Sequence, residues 1–176
     1  MLAFAQGDAG AFDRLYARHK GTVFRFISRS LPTRADAEEI FQEVWMKAIE
    51  ARSRYEPRAK FTTWIYAIAH NRLVDLWRRK GIATVPMDGG ADDRPAVDPP
   101  DDPANEPFAQ VSGQEAVARF AAALEKLPPA QREAFLMKEE AEMSIAEIAA
   151  ATGSNEEAVK SRVRYATAKL REALDG

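Results

Sequence analysis

The stretch KFTTWIYAIAHNRLVDLWRRK, Lys60–Lys80, sets the pattern for the whole chain. Trp64, Ile65, Ile68, Ala69, Leu73 and Leu76 recur at intervals of three and four, the spacing that lines one face of a helix. Thr62 or Thr63 is placed to cap the amino end, and Arg78, Arg79 and Lys80 followed by Gly81 suit the carboxyl end. The opposite face carries Asn71, Arg72, Asp75, Arg78 and Arg79. Asparagine reads base edges and arginine holds phosphates. The same residues also serve a plain core helix with a solvated basic end, so the rest of the chain decides.

Working outward, the same period continues on both sides. Toward the amino end, Asp8 is a predicted cap. Phe12, Leu15, Tyr16, His19, Val23, Phe24, Phe26 and Ile27 then mark a helix to about Ser30, with Gly21 a place for a break and Pro32 a stop. Thr33 to Asp36 resembles a capping box with Asp in the place of Glu, opening a helix to about Ala51 through Ala37, Ile40, Phe41, Val44, Trp45, Ala48 and Ile49. Ser53–Ala59 is a short loop holding Pro57. Toward the carboxyl end the pattern stops. Residues 81–112 hold six of the ten prolines and six aspartates, a composition that resists a packed core. Four helices follow. They open at Ser112 to Glu115, at Pro128 and Pro129, at Ser144 to Glu147 and at Ser154 to Glu157. No stretch alternates with period two. The predicted fold is all-α: two small helical domains, 1–80 and 113–176, joined by a flexible acidic Pro-rich linker, 81–112.

Charge divides along the same lines. Residues 1–80 carry 15 Lys and Arg against nine acids, 81–112 one Arg against seven acids, and 113–176 nine against 11, within a net charge of −2. A basic front suits a polyanion, and the acidic middle suits either a passive tether or a nucleic-acid mimic lying in a basic channel. There is no Cys, hence no disulfide and no thiolate metal site. The two histidines are far apart in sequence, so no metal and no cofactor is expected. No apolar run approaches the ~20 residues of a membrane span, and the amino terminus lacks a signal peptide's apolar core. A cytoplasmic protein with no membrane insertion is expected. No phosphate-binding glycine loop or nucleophile motif is present, which leaves an enzyme with little support.

IAEIAAATGSNEEAVKSRV, Ile145–Val163, carries the second motif. Ile145, Ile148 and Ala149 line a two-turn helix, Gly153 suits a turn with positive φ, and Val159 and Val163 face back at i and i+4. That spacing is shared by DNA-reading helix-turn-helix units and by ordinary helical hairpins with a solvated face. On the first reading Ser154, Asn155, Lys160, Ser161, Arg162, Arg164 and Tyr165 face outward, with Ser154 and Asn155 at an amino end that favours phosphate. The back domain is mildly acidic, so it would need a partner to hold it on DNA.

Together these pieces resemble bacterial sigma factors of the sigma-70 family, and among them the compact two-domain extracytoplasmic-function class. The resemblance covers nearly the whole chain. DAEEIFQEVWMKA, Asp36–Ala48, is similar to the family helix that binds the clamp coiled coil of the largest core polymerase subunit. It implies core contacts at Asp36, Glu39, Ile40, Gln42, Glu43 and Trp45. Lys60–Lys80 resembles the segment that melts the promoter and reads the minus-ten element. It implies DNA contacts at Arg54, Lys60, Thr63, Trp64, Asn71, Arg72, Arg78 and Arg79, with Asn71 and the Arg54–Lys60 loop against an extruded base. Where primary sigma factors carry a Trp pair this chain has Ala67 and Ile68, which implies a narrower promoter set. LPPAQREAF, Leu127–Phe135, and the helix after it resemble the minus-thirty-five reader. Tyr165 stands where many relatives have Arg.

The resemblance implies an alternative sigma factor whose partners are core RNA polymerase (its largest and second-largest subunits), promoter DNA and an anti-sigma factor. The acidic linker would thread the RNA exit path of the polymerase. The competing reading is a helix-turn-helix regulator that occupies operators without polymerase. The Gln-Glu pair at 42 and 43 separates the two, because a free regulator has no need of it.

Overall fold

The computed structural model describes residues 1–82 and 113–175. The predicted linker from 83 onward and the Ser112 cap lie outside the described residues. All regular structure among the described residues is helical: α1 (Leu2–Ala5), α2 (Ala9–Ser30), α3 (Arg34–Glu50), a 3-10 turn (Arg52–Arg54), α4 (Phe61–Arg79), α5 (Gly113–Lys126), α6 (Pro129–Glu139), α7 (Ile145–Thr152) and α8 (Glu156–Asp175).

Local chemistry explains most of the boundaries. The Asp8 carboxylate accepts from the Ala11 amide at 3.0 Å and starts α2. Thr33 accepts from the Asp36 amide at 3.2 Å and starts α3. Ser144 and Glu147 form a complete capping box on α7, and Gly153 ends that helix at φ 63°. At the end of α4, Gly81 takes φ 67°. Its amide reaches the Arg78 carbonyl at 3.2 Å and that of Ile82 the Trp77 carbonyl at 2.9 Å, the two bonds of a Schellman stop.

Three predicted boundaries move. α2 runs unbroken through Gly21, because its apolar stripe outweighs the ~1 kcal/mol helix cost of one glycine. α4 starts at Phe61 with Lys60 before it and no side-chain cap; neither Thr62 nor Thr63 caps, and Thr63 is buried inside the first turn. The box at Ser154 does not form either. The cap falls one residue later, where the Asn155 side chain accepts from the Ala158 amide at 2.7 Å.

The front group buries Val23, Phe26 and Ile27 of α2, Ile40, Val44 and Trp45 of α3, and Ile65, Tyr66, Ala69 and Leu73 of α4. Aromatic edges lock this core: Phe26 lies 4.9 Å from Tyr66, and Tyr16 meets Trp45 at 4.8 Å and 73°. The back group buries Leu136 and Met137 of α6, Ile148 of α7, and Val159, Ala166 and Leu170 of α8. The two groups also pack on each other. α4 lies between α3 and α7, and α2 lies against α6, so that apolar side chains of both groups form one cluster.

Candidate nucleic-acid interface and docking surface

On α3, Glu39, Glu43, Met46 and Glu50 fall one above another at helical spacing, with Gln42 beside them. With Lys47 and Arg72 they line a shallow groove. Met46 is 57% exposed, one of four large apolar side chains left exposed among the described residues, and stands amid the acids of this stripe. Glu43 lies 3.9 Å from the Arg72 guanidinium. The sequence reading passed over Met46, although its place one turn beyond Gln42 and off the apolar face marks it. Of the predicted docking residues, Glu39, Gln42 and Glu43 reach this surface. Ile40 and Trp45 do not: they are 1% and 5% exposed and support the stripe from inside the core. Asp36 is engaged within the chain, 2.6 Å from the Lys80 ammonium. That hydrogen bond, then the one from Thr33, holds its carboxyl below the usual carboxylate range and ties the start of α3 to the end of α4.

Along α4 the predicted DNA residues spread over about 24 Å from Thr63 to Arg79, at ~1.5 Å per residue. Asn71, Arg78 and Arg79 are exposed. Asp75 sits between two cations, 2.5 Å from Arg72 and 3.7 Å from Arg78. Arg72 is therefore turned toward Asp75 and Glu43. Trp64 is half-buried in an aromatic wall that the sequence reading did not assemble. Tyr55 stands edge-on to it at 5.0 Å and Phe61 lies at 5.8 Å; His19 approaches Phe61 at 5.0 Å. Arg54 is exposed just before Tyr55. An aromatic wall beside a basic loop suits an unpaired base, whose π-face stacks on aromatic rings. Two predicted contacts point elsewhere. Thr63 is 5% exposed, and Lys60 reaches across to Glu147 of α7 at 2.9 Å.

On α8, Asn155 and Lys160 are exposed near the amino end, and Ser154 and Ser161 are half-buried. Lys160 pairs with Glu157 at 2.6 Å, and that hydrogen bond raises its pKa. The Arg164 guanidinium stacks 5.4 Å over the Tyr165 ring. Arg162 does not project outward as predicted. It donates to the Ser154 hydroxyl at 2.8 Å, and burial lowers its pKa while the Glu133 carboxylate opposes that shift. Among the described residues no cluster of three His, Cys, Asp or Glu side chains is arranged to hold a metal, and no helix is long and apolar enough to cross a membrane.

An exposed acid-amide stripe, a long helix with a basic end beside an aromatic wall, and a helix-turn-helix thus share one chain. Residues 15–82 match the family model Sigma-70 region 2, and residues 118–170 match Sigma-70, region 4. The chain belongs to the sigma-70 family, in its extracytoplasmic-function class, as an alternative sigma factor that directs RNA polymerase to promoters. It is 31% identical to the RNA polymerase sigma factor CarQ of Myxococcus xanthus over 99% of this chain and 95% of the relative. It is also 31% identical to the ECF RNA polymerase sigma factor RpoE of Cereibacter sphaeroides, over 95% and 88%. Among solved structures it resembles CnrH in complex with the cytosolic domain of CnrY, with a TM-score of 0.68 and 25% identity over 97% of this chain and 92% of that one. Sigma factors are DNA-binding initiation factors rather than catalysts.

Proposed function

We propose that the exposed stripe of α3 docks the chain on core polymerase, that α4 and the loop before it open the minus-ten element, and that α8 reads the minus-thirty-five element. Glu39, Gln42, Glu43 and Met46 form the polymerase surface. Asn71, with Arg54 and the aromatic wall around Trp64, receives an unpaired base, while Arg78 and Arg79 hold the separated strand. Asn155, Lys160, Ser161 and Arg164 contact the upstream element, with Tyr165 shaping it. Residues 1–80 and 113–176 work as separate readers joined by the acidic segment 81–112, and the chain works in the cytoplasm. A partner of the anti-sigma kind fits as well, since the similar protein CnrH is found in complex with the cytosolic domain of CnrY.

The observation that carries this reading is the α3 stripe. Met46 is 57% exposed amid acids, on a helix whose opposite face is fully committed to the core. A regulator working without polymerase has no use for that surface. Run-off transcription with core polymerase on genomic templates tests the assignment. A promoter-dependent transcript is expected, and its absence on every template would remove the reading. A Gln42→Ala, Glu43→Ala pair is expected to weaken core binding by about tenfold or more, as loss of interface anchors does. Asn71→Ala is expected to slow open-complex formation and spare core binding.

A further inference from the structure

The segment between α3 and α4 carries Arg54 and Tyr55, yet its regular structure is the single 3-10 turn Arg52–Arg54. A loop holds a site less precisely than a helix unless other side chains lock it in place. At its far end the lock comes from α4: Phe61 lies between His19 and Trp64, and Trp64 meets Tyr55. At its near end the support comes from α1. The Arg52 guanidinium lies over the Phe4 ring, 5.7 Å from its centroid, and donates to the Ile49 carbonyl at the end of α3 at 3.1 Å. Phe4 in turn lies 4.9 Å from Phe12. Phe12 meets Trp45 edge-on at 5.9 Å and 85°, and Trp45 is buried. A line of rings thus runs from the core out to the start of the loop.

We propose that α1 braces the base-receiving loop, with Phe4 as a positioning residue that acts through Arg52. This rests on the function proposed above, which gives the unpaired base to that loop and to Trp64. Three observations support it. First, α1 is fixed at its carboxyl end. Four residues are too few for a helix to persist alone. The Asp8 amide reaches the Ala3 carbonyl and the Gly7 amide the Phe4 carbonyl, both at 3.0 Å, the paired bonds of a Schellman stop. The Asp8 carboxylate then starts α2 and holds Arg14 at 3.1 Å. The direction of Phe4 is thereby set relative to α2. Second, α1 packs on both α2 and the 3-10 turn, so it joins the rigid helix to the loop. Third, residues 1–14 precede the stretch 15–82 that matches Sigma-70 region 2. The brace therefore comes from outside the matched unit, and the loop it holds lies inside. Its use is physical. A loop ordered before the base arrives spares capture the entropic cost of ordering it then. An extruded base also leaves the stack more readily when its pocket is already formed.

Holoenzyme made with the full chain tests the brace on a promoter found by run-off transcription. Phe4→Ala is expected to slow open-complex formation about three- to tenfold, the scale of one cation–π contact, with core binding and helix content unchanged. Phe4→Tyr keeps the ring and is expected to restore the rate. Because Phe4 acts through Arg52, Arg52→Gln is expected to add no further loss in the Phe4→Ala background; additive losses overturn the proposal. Loop order is read separately. The chain has no Cys, so a spin label on Ser53→Cys reports on the loop alone in the free protein. Phe4→Ala is expected to raise the mobility of that label, and unchanged mobility overturns the brace. Arg54→Ala and Asn71→Ala separate the two readings. If both slow opening and Phe4→Ala does not, the brace falls and the proposed function stands. If neither slows opening, the proposed function falls, and the label alone judges the brace.

Discussion

Glu147 shows how much a single carboxylate is asked to do. The Ser144 amide donates to it at 2.8 Å, and Lys60 pairs with it from the other group at 2.9 Å. The Ser144 backbone bond, then that to Lys60, pulls its pKa from 4.5 down to about 2. A depressed carboxyl stabilises the fold fully above its unfolded value and loses that contribution as pH falls. The Glu147 contribution is therefore complete above pH 4.5 and is lost as pH drops toward about 2. Thermal melts of the protein and of Glu147→Gln are expected to converge across that window and to differ above it. The capping half of this geometry is legible in the sequence, because Ser and Glu three apart before an apolar run is a local code. The Lys60 half is not, since nothing local links two residues so far apart. The contact of His70 with Glu133, 63 positions apart and 2.8 Å across, is hidden for the same reason.

Among the elements, α3 and α7 teach different lessons. Periodicity placed α3 correctly. Yet Ile40 and Trp45, read as docking residues, lie on the same stripe as Ala37, Val44 and Ala48 and go into the core with them. The family pattern marks a helix as functional; only the 3.6-residue period tells which of its faces is free. The α7–α8 turn depends on Gly153, whose φ of 63° is left-handed. A β-branched side chain there meets its own backbone, so Gly153→Val is expected to cost about 1–2 kcal/mol. Chemical denaturation measures that loss. Loss of minus-thirty-five binding beyond what the lowered stability explains would place the reading angle of α8 under control of the same turn. Thr63 failed as a cap because Lys60 already holds the non-helical position at the start of α4, leaving the threonine one turn too deep.

At the scale of the molecule, the all-helical fold and its division into front and back groups follow from composition and pattern, whereas the contact between the groups does not. It is built from single residues of α2, α4, α6 and α7 that carry no shared signature. The contact is also partly electrostatic. Lys60 is 75% exposed in its pair with Glu147, so mobile ions reach that pair, with a screening length of about 8 Å at physiological ionic strength. Raising the salt concentration is expected to lower energy transfer between dyes carried one by each group. The buried His70–Glu133 pair is screened much less, so the fall is expected to be partial rather than complete, and a Glu147→Gln variant is expected to show a shallower salt dependence.

The exposed sulfur on α3 adds a vulnerability of a different kind. Met137 and Met143 are sealed in the back group at 0% and 1% exposure, whereas Met46 stands at 57%. A peroxide reaching this protein therefore meets Met46 before either of them. Conversion of a thioether to a sulfoxide replaces a pliant apolar contact with a rigid polar one. Brief oxidation is expected to lower affinity for core polymerase without unfolding the chain, methionine sulfoxide reductase to restore it, and Met46→Leu to abolish the response. On the docking proposed above, the pliant side chain that would let the polymerase contact adapt is also the one an oxidant would stiffen.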